Sequence, residues 1–134
     1  MGSLPVALHV GIDELAWVEN PSVPGARMRL LQVDAEAQMS VTHGFLPAGL
    51  AVGTHRHRGP VQMWTMSGSW VYREHDFVNR AGSYLYEPVD SVHTLYVPED
   101  NDGVVEYVSN WERTLADYFE GCERAGLARP NILR

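Results

Sequence analysis

From Arg27 onward the chain alternates apolar and polar residues in short runs separated by turn-forming residues. The runs are 28–33, 39–45, 51–57, 61–66, 69–75, 83–86, 92–97 and 104–109. Between them stand Pro47, Gly49, Gly59, Pro60, Gly68, Gly82, Pro88 and Gly103. A period of two with closely spaced turns predicts an all-β sandwich or closed barrel. Residues 1–27 read as irregular, broken by Pro5, Pro21, Pro24 and Gly25. At the C-terminus the period changes: Leu115, Tyr118, Phe119, Cys122 and Ala125 recur at helical spacing. That predicts one amphipathic α-helix over about 111–125. Ser109-x-x-Glu112 would cap it, and Gly126 and Pro130 would end it. Such a stripe serves as core cover or a dimer contact. No repeat, linker or low-complexity segment divides the 134 residues, so one domain is expected, with its barrel core at about 28–109.

Charge narrows the function classes. The net charge is −7, and all ten cations are Arg. An acidic chain without a basic cluster makes a poor partner for nucleic acid or an anionic membrane. The absence of Lys excludes Schiff-base chemistry and a Walker-type phosphate loop. Cys122 is single, so it forms no internal disulfide. No apolar run is long enough to span a bilayer and no signal peptide is evident, so a cytoplasmic location is expected.

The chemistry concentrates at histidines. His55 and His57 lie in Gly49-Leu-Ala-Val-Gly-Thr-His-Arg-His, and His93 closes Glu87-Pro-Val-Asp-Ser-Val-His. On a strand, residues i and i+2 share a face about 6.5 Å apart. Two imidazoles so placed can grip one metal ion, and a third from a neighbouring strand completes a facial set with positions left open. Alternatively, His-x-His is two polar side chains on a solvated face. Trp64, Trp70, Tyr72 and Tyr84 are candidates for an apolar substrate pocket, or else barrel core and dimer contact. Glu87 is a candidate second acceptor or general base beside a ligating imidazole, or else a turn acid. His9 and His43 fit no metal spacing, and His43 reads as a hydrogen-bonded barrel or surface histidine.

Gly49-x5-His55-x-His57 followed by Gly68 resembles the first cupin motif, and Gly82-x5-Pro88-x4-His93 resembles the second. Gly68-Ser-Trp-Val-Tyr-Arg-Glu-His-Asp76, Ala81-Gly-Ser-Tyr-Leu-Tyr-Glu-Pro88 and the segment from Leu115 are similar to the 2,4'-dihydroxyacetophenone and acetylacetone dioxygenase branch of the cupins. The resemblance implies a single-domain cupin, a double-stranded β-helix or jelly-roll barrel. It also implies cleavage of a carbon–carbon bond beside a carbonyl, with non-haem Fe(II), a small chelating carbonyl substrate and O2. Zn, Ni and Mn are alternative metals, and a homodimer is the family-level expectation. The metal ligands would be His55, His57 and His93. The first motif normally supplies a Glu after the second His; here Val61 or Gln62 stands there. Glu74 is a candidate replacement ligand, or else a surface acid. Its expected partners on one strand face are Trp70, Tyr72 and Asp76. Gln62, Tyr86 and Glu87 are the candidate catalytic residues. The alternatives are a Zn or Ni Lewis-acid isomerase or lyase and a Zn-binding sensor module.

Overall fold

The structure, a computed structural model, describes residues 6–20, 23–34, 36–57, 59–101, 105–112 and 132–133. Twelve strands are present among them: β1 (Val18–Glu19), β2 (Arg27–Asp34), β3 (Met39–Leu46), β4 (His55–Arg56), β5 (Val61–Ser67), β6 (Ser69–Tyr72), β7 (Val78–Arg80), β8 (Tyr84–Glu87), β9 (Val92–His93), β10 (Leu95–Tyr96), β11 (Val105–Glu112) and β12 (Ile132–Leu133). A large sheet runs β1-β2-β3-β11-β5-β8, with β12 beside β2. A smaller sheet runs β10-β6-β7, and β4 pairs with β9 as a two-stranded ribbon. The fold is all-β, as the alternation predicts. No helix among the described residues is long and apolar enough to cross a membrane.

Alternation decides what each sheet buries. On β5, Val61, Met63 and Thr65 point inward, while Trp64 and Met66 are exposed. The inward apolar side chains join Leu46 and Val105 from the large sheet. They pack against Trp70, Tyr72, Leu95 and Val97 from the opposite side. Trp70 is fully buried, and its indole N–H donates to Thr65 Oγ1 at 3.0 Å. An aromatic side chain of this size removes about 200 Å² from water, roughly 5 kcal/mol of gross transfer free energy. A second cluster of Val18, Met28, Leu30 and Val33 lies under β1 and β2.

Two glycines are required by close approach. Gly68 turns β5 into β6 at φ +75°, and a Cβ there would come 2.9 Å from Val105 Cα. Gly44 faces Tyr107 across the β3–β11 pair, and any Cβ would run into the tyrosine ring. On the outer face of this region Trp17 covers His43 and Phe45, with the Arg29 guanidinium 3.8 Å from its ring centroid.

Three expectations change. Within the segment 1–27, read as irregular, the described residues form β1 and a 3-10 turn at Ile12–Glu14. The helix start at 111 is replaced by strand, since β11 continues to Glu112 in register with Met39. Ser109 therefore caps nothing; its hydroxyl bonds Thr42 Oγ1 at 2.8 Å inside the sheet. The stripe from Leu115 to Ala125 lies outside the described residues.

Candidate functional site

His55 and His93 are directly opposed across the β4–β9 ribbon. Opposed residues of an antiparallel pair share a face. His57 follows one residue past β4. Its ring lies 4.8 Å from His55 and 6.3 Å from His93, centroid to centroid. Arg56 falls between the two histidines in sequence, and its side chain is exposed.

The ring nitrogens are oriented. His55 Nδ1 lies 2.9 Å from the Gly53 carbonyl. A carbonyl only accepts, so the proton sits on Nδ1 and the Nε2 lone pair is left for another partner. His55 Nε2 is 3.1 Å from His57 Nε2, and His57 Nε2 is 3.2 Å from Glu87 Oε2. His93 Nε2 is turned to Ser91 Oγ at 2.8 Å and lies 3.7 Å from Glu87 Oε2. Among the described residues no three such donors close around one point as they stand.

Glu87 is the residue that local sequence leaves open and the fold makes central. It sits at the end of β8, directly across from Val61 on β5 and on the same inward face. Val61 occupies one of the two positions where the first cupin motif would carry its carboxylate. Glu87 thus brings an acid to that place from the neighbouring strand. It is 1% exposed, and burial pushes its carboxyl up to about 7. Tyr72 donates its hydroxyl to Glu87 Oε1, while Oε2 is buried without a hydrogen-bond partner. His93 stacks on Tyr72 with centroids 4.3 Å apart. Its basicity is lowered, mainly by burial and then by His55 and His75.

These donors fit a metal ion by their chemistry. The steps of 3.1 and 3.2 Å match neighbouring ligands around one ion, about 3.0–3.4 Å apart for metal–nitrogen bonds near 2.1 Å. A buried carboxyl oxygen left without a hydrogen bond, 3.2 Å from an imidazole nitrogen, is a costly arrangement that a cation would relieve.

The other candidates are placed elsewhere. Glu74 stands in the turn after β6, so the expected alternation from Trp70 and Tyr72 stops short of it. Its Oε1 accepts from the Thr94 N–H at 2.7 Å and its Oε2 from the Thr94 hydroxyl at 2.6 Å. Those two bonds hold its carboxyl below the usual range. Gln62, Trp64, Tyr84 and Tyr86 form cross-strand pairs on the face of β5 and β8 opposite Glu87. Trp64, Tyr84 and Tyr86 are about half exposed there, and Gln62 donates to the Tyr84 hydroxyl at 3.2 Å. Of the expected aromatic lining, only Tyr72 touches the histidine cluster; Trp70 lies behind it in the core, edge-on to Tyr72. His43 is buried under Trp17, with Nε2 3.4 Å from Glu106 Oε2. His75 stacks on Phe77, 6.1 Å from His93 between centroids.

Comparison with known proteins agrees with the fold. A cupin-like protein of unknown function from Ralstonia eutropha JMP134 shares 28% identity over 84% of this chain and 71% of its own, with a TM-score of 0.73. An acetylacetone dioxygenase from Acinetobacter johnsonii superposes with a TM-score of 0.65 at 17% identity, covering 84% of this chain and 76% of that one. The Rhodobacter sphaeroides complex of SigE with the anti-sigma ChrR gives a TM-score of 0.61 at 17% identity, covering 76% of this chain and 52% of that one. At such identities the likeness of the last two extends to the fold alone. No curated protein sequence matches significantly. The ChrR cupin-like domain profile matches residues 6–112, and the chain belongs to that family.

Proposed function

We propose that this chain is a non-haem Fe(II)-dependent cupin dioxygenase that cleaves a carbon–carbon bond next to a carbonyl in a small chelating substrate of the β-diketone or hydroxyacetophenone type. The observation that carries the proposal is the row of donors His55 Nε2, His57 Nε2 and Glu87 Oε2 beside His93, with Glu87 Oε2 buried against the histidines and making no hydrogen bond. His55, His57 and His93 would hold the metal, with Glu87 as an adjoining carboxylate. Bound there, the metal supplies Lewis-acid and one-electron chemistry to the substrate and O2. Neutral imidazoles leave its charge largely uncompensated, which favours an anionic chelate.

The protein's own groups handle the proton. Glu87 Oε2, buried beside the histidines, would take the acidic proton of a β-diketone. The Tyr72 hydroxyl holds Glu87 Oε1 and so aims Oε2 at the histidines. Tyr72 also stacks on His93 and walls the site with an apolar ring. The reading takes the protein as cytoplasmic, on its single-cysteine composition. It also takes the chain as a homodimer, for which the exposed Trp64, Met66, Tyr84 and Tyr86 are the supporting surface.

Oxygen uptake by Fe(II)-loaded protein with acetylacetone and with 2,4'-dihydroxyacetophenone tests the activity. Consumption tied to substrate loss, abolished in His57→Ala, is expected. No uptake with either compound favours the second reading, a Zn-binding sensor. The observation behind that alternative is membership of a family typified by ChrR, together with the structural likeness to the SigE–ChrR complex.

A further inference from the structure

The ribbon that carries two of the proposed ligands is short. Strands β4 and β9 have two residues each. The next backbone bond toward the core runs from the Val52 N–H to the Leu95 carbonyl at 2.9 Å. The stretch between is closed by side chains. Thr54 precedes His55 and Thr94 follows His93, so the two threonines face each other one step along the ribbon. Their hydroxyls lie 2.7 Å apart. Neighbouring residues on a strand point to opposite faces, so this pair sits on the back of the histidine-bearing surface. Behind it Glu74 accepts from both the N–H and the hydroxyl of Thr94, at 2.7 and 2.6 Å. Because Thr94 spends its proton on Glu74, its oxygen is left to accept from Thr54, and the chain of donors is fixed in one direction. The Arg73 N–H donates to the Thr94 carbonyl at 3.0 Å, so the Arg73-Glu74 turn grips Thr94 on both sides.

We propose that Glu74 is a positioning residue: acting through Thr94 and Thr54 from the back of the ribbon, it fixes the spacing of His55 and His93 and thereby sets the affinity and geometry of the metal they hold. The inference rests on the metal-site reading above. Glu74 touches neither the histidine nitrogens nor Glu87; its two oxygens are occupied by Thr94. Its effect on the metal passes through the backbone.

The test is a Co(II) titration of the metal-free full chain, read by visible absorption, alongside thermal unfolding. The proteins are wild type, Glu74→Ala, Thr94→Val and Thr94→Ser, with His57→Ala as the ligand-loss control. Loss of supporting contacts around ligands costs about 10- to 100-fold in metal affinity. Glu74→Ala and Thr94→Val should weaken Co(II) binding on that scale and shift the visible bands, which report ligand geometry. Thr94→Val keeps the shape of the side chain and the Glu74 charge, so loss there comes from the broken brace rather than from lost charge. Thr94→Ser keeps the hydroxyl and should restore both affinity and spectrum. Wild-type affinity and spectrum in Glu74→Ala and Thr94→Val, with or without a lower melting temperature, would overturn the positioning role alone. A wild type that binds no Co(II) would overturn the metal-site reading and this inference with it.

Discussion

Replacing Glu87 by Gln should make the metal-free protein more stable above neutral pH. Glu87 is fully buried, and its carboxyl is raised from 4.5 to about 7 by burial. Below pH 4.5 folded and unfolded chains both carry the proton, and the group adds no pH dependence. Between 4.5 and 7 the unfolded chain releases its proton while the folded chain keeps it. Stability therefore falls as pH rises through that window. At 1.36 kcal/mol for each pH step of one, the loss comes to about 3 kcal/mol by pH 7–8. Gln fills nearly the same volume and can still accept the Tyr72 hydroxyl, but it never ionises. Urea unfolding of metal-free wild type and Glu87→Gln, at pH 5 and pH 8, measures the difference. The variant should gain about 3 kcal/mol on the wild type between the two pH values. Parallel pH profiles would refute the claim that Glu87 is held protonated by burial.

Three further outcomes follow from other parts of the fold. Thr65→Val removes the acceptor of the buried Trp70 N–H and should cost about 1–3 kcal/mol by urea unfolding, with Thr65→Ser near wild type. Gly44→Ala should destabilise by about 1–3 kcal/mol, because the new methyl meets the Tyr107 ring, and Tyr107→Leu in the same chain should recover most of the loss. His43 has its basicity lowered, first by burial, so the unfolded chain takes up a proton before the folded one. Stability should fall as pH drops below 6.5, and His43→Gln should flatten that fall in urea unfolding between pH 7 and 5.

Local pattern carried the strands and the histidine spacing, because period two and His-x-His are both written over a few residues. It could not carry long-range pairing. The place of Glu87 depends on β8 lying against β5 so that Glu87 meets Val61, and nothing near Glu87 states that register. Trp64 and Tyr84 crowd the motifs, which reads as a pocket, with Tyr86 beside them as a catalytic candidate. The alternation that buries Val61 and Met63 sends Trp64 the other way, and cross-strand pairing takes the two tyrosines with it. Alternation puts Glu74 on the face of Tyr72 only if the strand continues, and the chain turns at Arg73. At Ser109 a capping signature competed with strand pairing, and eight residues of register with β3 prevailed through Glu112. β1 has no signature in the sequence, because two residues between breakers carry no period.

The most direct test of the central claim is the elemental metal content of untagged protein, grown with iron supplementation and purified without oxygen, beside His57→Ala. Near one Fe per wild-type chain, absent from the variant, is the expected result. Near one Zn per chain, lost in the variant, would contradict the oxygenase in favour of the sensor, and equal metal in both proteins would contradict the histidine site itself.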